Sequence, residues 1–265
     1  MEGRKANILD RFSLQGKVVV IAGGKGMYGK QVAEAIAEAG AATYIASRSL
    51  PELERIAAEH RDAGHNVTAL PLDLGDERSI LQLRDIVMER EGKIDVLVNN
   101  AVARPMKSWD ADASAFAESM KINATGLFLL TRAFGDEMAK AGGGSIVNIG
   151  SIHGMIAPDT TLYEGTPFTG FIPDYFFHKA GMINFTRFTA SYYGKHNIRC
   201  NCISPGGFRT EAHTDVFVKR YSDRTFLGRM ANNSDVMGAI VFFASDASLY
   251  VTGTNLPVDG GYVAK

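Results

Sequence analysis

The chain has 265 residues, 46% hydrophobic and 22% charged, with a formal net charge of -1. That balance excludes a disordered chain and a strongly basic nucleic-acid binder, and a chain this long buries a core without disulfide or metal staples. No run of about 18 apolar residues occurs, so no membrane span is expected.

Residues 1–14 hold no apolar core of signal-peptide length, and a cytoplasmic protein is expected. Residues 17–22 read as a buried strand leading into a glycine loop. Apolar residues at helical spacing follow over 31–39. Strands are predicted at 42–46, 66–72, 94–99, 144–149, 198–204 and 255–259. Helices are predicted at 50–63, 77–91, 113–140, 175–194 and 234–245, the third of these divided into two parts near Asn123. Strands alternating with helices imply βαβ units. The expected fold is therefore α/β: a single-domain, doubly wound, Rossmann-like parallel sheet with helices on both faces. It spans 14–265, after an N-terminal extension at 1–13. Two stretches break the rhythm, at about 152–174 and 210–229, and long loops of this kind carry function more often than not. Cys200 and Cys202 share one strand face. No further cysteine completes a metal site with them, so they read as buried, reduced strand residues.

The run Ala22-Gly23-Gly24-Lys25-Gly26-Met27-Tyr28-Gly29 lies between the first strand and the first helix. A tight turn, close backbone approach to a pyrophosphate and close helix–strand packing all favour glycine there. The helix N-terminus then attracts phosphate. Gly23, Lys25, Gly26, Met27, Tyr28 and Gly29 are the candidate cofactor contacts. At the end of the second strand stand Ser47 and Arg48, with no acid to hold a ribose hydroxyl. Arg48, helped by Lys25, suits a 2′-phosphate, so NADP(H) is expected to be favoured over NAD(H).

Tyr175 and Lys179 are four residues apart and share a helical face. An ammonium beside a phenol favours the phenolate and brings tyrosine toward acid–base use. With the glycine loop come Leu72-Asp73-Leu74, Asn99-Asn100-Ala101, Asn123, Ser151, Ser204-Pro205-Gly206-Gly207 and Val258-Asp259-Gly260-Gly261. In that order, from about residue 14 to 263, the sequence resembles the short-chain dehydrogenase/reductase family. The resemblance implies that Tyr175 exchanges the proton with a carbonyl or alcohol and that Lys179 lowers its pKa and holds the nicotinamide ribose. It implies that Ser151 binds the substrate oxygen and that Asn123 holds a water relaying protons to Lys179. Asp73 and Leu74 would lie near the adenine, Asn99 and Ala101 beneath the cofactor, and Pro205, Gly206 and Thr210 near the carboxamide. The implied assembly is a homo-oligomer, tetramer or dimer, acting on a small molecule, with no metal, nucleic acid or membrane partner.

Three departures stand out. Ala22 and Met27 occupy positions where threonine and glycine are usual in the family. Val102 follows Asn-Asn-Ala where glycine is usual. Ser151 and Tyr175 are 24 positions apart, more than in many members. The added segment carries Asp159, Thr160, Thr161, Tyr163, Glu164, Thr166 and Thr169 with Phe168 and Phe171. These side chains suit a sugar, sugar acid or polyol better than a steroid, and the segment is expected to pack at the substrate pocket. His153, Glu164 and His213 are the candidate substrate contacts, and 210–229 is expected to form a lid. The expected function is an NAD(P)(H)-dependent oxidoreductase (EC 1.1.1.-) interconverting a carbonyl and an alcohol. A dinucleotide-binding regulator without turnover and a nicotinamide-assisted epimerase or dehydratase are the alternatives.

Overall fold

β1 (Val18–Ala22) is buried at every position, as a strand covered on both faces must be. In the computed structural model, which describes residues 7–166, 170 and 172–265, it is an inner strand of a seven-stranded sheet, third in the order. Phe168, Thr169 and Phe171 of the added segment, and residues 1–6 of the extension, lie outside the described residues. β2 (Ala42–Ser47), β3 (Val67–Pro71), β4 (Val96–Asn99), β5 (Gly144–Ile149), β6 (Ile198–Pro205) and β7 (Asn255–Val258) complete the sheet. The order is β3-β2-β1-β4-β5-β6-β7, and every pairing is parallel.

Alternate residues of each strand feed two cores. On one face Val19, Ile21 and Ile45 pack with Val32 and Ile36 of α1 (Met27–Glu38), Leu53 and Ile56 of α2 (Leu50–Asp62), and Ile240 and Phe243 of α8 (Met237–Ala244). On the other, Val18, Val20 and Leu97 pack with Ile80 and Leu83 of α3 (Glu77–Glu91), Leu130 and Phe134 of α5 (Leu127–Ala141), and Tyr193 of α6 (Pro173–Tyr193). Each large aliphatic or phenyl side chain so buried contributes roughly 1.5–3 kcal/mol. The chain order reverses between β1 and β4. Ala22 is level with Ala46 of β2 and Asn99 of β4, so Gly23, Ser47 and Asn100 emerge together at the carboxyl edge. A crevice at that reversal point is where open α/β sheets bind ligands.

Two boundaries differ from the sequence reading and one matches it. α1 begins at Met27, not 31: Gly26 is its N-cap, and the last residues of the glycine run already form the first turn. The 113–140 helix divides into α4 (Ala113–Met120), a π-helical stretch Lys121–Gly126 and α5, which puts Asn123 at the join as expected. The 210–229 stretch contains α7 (Asp215–Ser222), capped by Thr214. Phe217 and Tyr221 of α7 pack with Ile152, Leu162 and Met230 in a third, small cluster. The added segment and the 210–229 stretch therefore pack on each other. No helix among the described residues is long and apolar enough to cross a membrane.

Candidate active site

The glycine loop lies where Gly23 leaves β1 with φ +90°, a conformation that favours glycine. A Cβ there would stand 2.6 Å from the backbone of Ala101. The same loop is latched at both ends. Asn100 Nδ2 donates to the Gly23 carbonyl at 2.6 Å. Tyr28 Oη donates to the Gly206 carbonyl at 2.8 Å, and its ring meets Phe208 edge-on at 5.4 Å. Burial pushes the Tyr28 phenol up, which keeps it neutral and donating. Gly26 supplies no side-chain cap to α1, so the first N–H groups of the helix face the cleft unpaired by any cap, as an anion receptor requires.

The cleft has a volume of about 500 Å³ and runs from Arg48 to Arg104. Gly23, Lys25, Gly26, Met27, Tyr28, Gly29, Ser47, Arg48, Asp73, Leu74, Ala101, Pro205 and Gly206 all line it. So do Ser151, Tyr175 and Lys179. Lys25 reaches Glu52 at 2.9 Å, whereas exposed Arg48 forms no ion pair among the described residues. Asp73 accepts from Gly75 N at 2.8 Å and so shapes the turn before α3. These residues fit a dinucleotide: glycines bare of side chains at the turn, an uncapped helix end for phosphate, and a cation at the ribose end.

At the other end Lys179 is 3% exposed. Its Nζ donates to the Ile149 carbonyl at 2.5 Å and lies 5.8 Å from the Tyr175 ring centroid. Burial pushes the ammonium down, and the Tyr175 charge opposes that. Ser151 follows β5 and accepts from His153 N at 3.2 Å. His153 stacks on Phe176 at 4.5 Å, and burial holds its pKa down to about 4. His178 lies 5.3 Å from Tyr175, ring centroid to centroid. Burial, with Lys179 and Arg104 nearby, holds it to about 3. Both histidines are neutral near pH 7.

Six predicted contacts lie off the cleft wall. Asn99 is buried behind it, donating to Thr131 and to Asn148 at 2.8 Å. Asn100, the next residue, takes the wall position. Asn123 spends its amide on the neighbouring loop: it accepts from Ala103 N and donates to Ala103 O, both at 2.8 Å. It also donates to Ser119. The Asn123 side chain thus clamps the loop after β4. Thr210 bonds His213 Nδ1, and His213 stacks on Phe217 of α7. Glu164 accepts from Arg220 through its backbone carbonyl. His153 is held by Phe176 instead of facing the cleft. The described part of the added segment turns toward α7, because Arg224 holds Asp159 at 2.5 Å and also bonds Thr161.

Arg104 is the residue that sequence reasoning missed. It lines the cleft with its guanidinium carbon 4.5 Å above the Tyr175 ring centroid. The available signal was its place in the loop following a central strand at the reversal point, where a cation meets ligand more often than elsewhere on the surface.

A family model described as enoyl-(acyl carrier protein) reductase matches residues 22–263. A 7alpha-hydroxysteroid dehydrogenase from Bacteroides fragilis is 32% identical over 263 residues, 96% of each chain. An L-rhamnose 1-dehydrogenase (NAD(P)(+)) from Sphingomonas sp. is 33% identical over 257 residues, 94% of this chain and 96% of the relative. The crystal structure of a gluconate 5-dehydrogenase from Burkholderia cenocepacia J2315 in complex with NADP and tartrate matches with a TM-score of 0.87. It is 30% identical and covers 98% of this chain and 100% of that chain.

Proposed function

The chain belongs to the short-chain dehydrogenase/reductase family, and on that premise we propose that Tyr175 exchanges the proton in its reaction. It is an NAD(P)-dependent oxidoreductase that interconverts a carbonyl and an alcohol. The observation that carries the assignment of Tyr175 is its convergence with Lys179 and Ser151 on the cleft that the glycine loop opens. Bound there, the nicotinamide supplies or accepts the hydride. Tyr175 gives its phenolic proton to the carbonyl oxygen, or takes one from the alcohol. Lys179, its Nζ fixed by the Ile149 carbonyl, stands beside the Tyr175 ring. Ser151 Oγ donates to the same substrate oxygen. Asn123 fixes the Ala103 backbone and with it the wall of the cleft.

The substrate is a sugar, sugar acid or polyol. The reacting end of the cleft presents Ser151 and Tyr175, hydroxyls suited to hydroxyl-rich ligands, and relatives named for rhamnose and gluconate support that class. The preferred cofactor is NADP(H), supported by Ser47 and by Arg48, which has no ion-pair partner among the described residues, at the ribose end. The chain acts as a homo-oligomer in the cytoplasm, where its two free, buried thiols stay reduced. Replacing Tyr175 by Phe tests the central assignment. The expected result is a fall in kcat of roughly 10²–10⁴-fold with NADPH binding, measured by fluorescence titration, unchanged. Wild-type turnover in the variant would reject it.

A further inference from the structure

The cleft has a cation at each end, and only one of them is accounted for by a dinucleotide. Arg104 is exposed. Its guanidinium forms no ion pair or side-chain hydrogen bond among the described residues. The buried carboxylate of Asp174, next to Tyr175, has no hydrogen-bond partner among the described residues either, so it does not neutralise Arg104 by contact. The loop that carries Arg104 is fixed one residue earlier, where Asn123 holds both polar atoms of the Ala103 backbone at 2.8 Å.

The guanidinium lies over the face of Tyr175, 4.5 Å from its centroid. A guanidinium over an aromatic face is held by the ring while its N–H edges remain free. Those edges match a carboxylate in a two-bond fork, the strongest pairing this side chain makes. Because the ring beneath it belongs to the proton-exchanging tyrosine, an anion bound there lies a few bonds from the reacting carbon. His153 and His178 beside it are neutral near pH 7, so neither supplies a competing charge. Resting on the oxidoreductase reading of Tyr175, we propose that Arg104 binds the carboxylate of the substrate, and that the site takes polyhydroxylated acids in preference to neutral sugars and polyols. The carboxylate is neither formed nor broken in the exchange of alcohol and carbonyl. It is a handle that sets which hydroxyl faces Tyr175.

The test uses the purified full chain with NADP and a panel of four- to six-carbon aldonates and uronates, each paired with the neutral sugar or alditol of the same skeleton. The wild type is expected to favour at least one acid over its neutral counterpart. In Arg104→Gln, kcat/KM for the acid falls roughly 10- to 100-fold, chiefly through KM, while neutral compounds change by less than roughly threefold. The NADPH dissociation constant stays the same. A wild type that prefers the neutral member of every pair, or a variant that loses acid and neutral substrates equally, overturns the proposal and leaves the polar-substrate reading standing. If no polyhydroxylated compound reacts and only apolar ketones do, both fall.

Discussion

Arg48 and Lys25 show how one charge differs from another of the same sign. Lys25 is paired with Glu52 at 2.9 Å, each about two-fifths exposed, and the pairing holds the Glu52 carboxyl below its usual range. Its charge is already answered. Arg48 sits on the cleft wall beside Ser47 with no carboxylate partner among the described residues. A ribose phosphate would therefore gain most from Arg48. In Arg48→Ala, the dissociation constant for NADPH should rise roughly tenfold and that for NADH less than twofold. Fluorescence titration with both nucleotides checks this, and equal losses for the two would place Arg48 on the shared adenosine instead. Much of the cleft wall was legible because glycine spacing and strand-end position carry a physical demand. Arg104 was not legible, because a charged loop residue is by default solvated and only three-dimensional proximity to Tyr175 marks it out. Asn123 was legible as a residue but not in its bonding, since the backbone it clamps is 20 positions away.

α7 illustrates the element scale. Tyr221 Oη accepts from Gly207 N, next to Gly206 on the cleft wall. Just past the helix, Arg224 Nε reaches Asp159 at 2.5 Å and Nη1 the Arg220 carbonyl at 2.8 Å. α7 thus links the added segment to the strand end that lines the site. The Arg224–Asp159 pair is about one-third exposed, so its loss costs the fold no more than about 1 kcal/mol. Its effect on turnover should be larger than its effect on stability. In Arg224→Ala, kcat/KM is expected to fall roughly tenfold, since small displacements near reacting groups are costly, with NADPH binding within twofold. Steady-state kinetics beside a thermal melt checks it, and unchanged turnover would show that the two stretches act independently. α7 escaped the sequence reading because eight residues give too few turns for a periodicity to stand out. The start of α1 was set late because a glycine run reads as loop, although Gly29 lies within the first turn. The division of the 113–140 helix was legible, since Asn123 disfavours a helix interior.

At the scale of the whole molecule, the sheet order was legible from the βα alternation and the handedness of parallel crossovers. The solvent-facing apolar surface was not, since a helix pattern does not say which side meets a second copy. On α6, Phe185, Phe188 and Tyr192 stack at successive 6.2 Å centroid spacings, with Phe188 62% and Tyr192 57% exposed. A stripe of that kind supports the proposed homo-oligomer. Phe188→Glu should lower the mass measured by light scattering toward 28.6 kDa, whereas a wild-type protein that is already monomeric would remove the homo-oligomer reading. The two latches on the glycine loop have a consequence of another kind. One joins Gly23 to Asn100 and the other joins Tyr28 to Gly206, 77 and 178 positions apart. A chain emerging from the ribosome cannot complete its dinucleotide cradle until most of its length has been made, although the glycines are among the first residues to appear. Nucleotide that binds only the completed cradle would then favour the folded state by mass action.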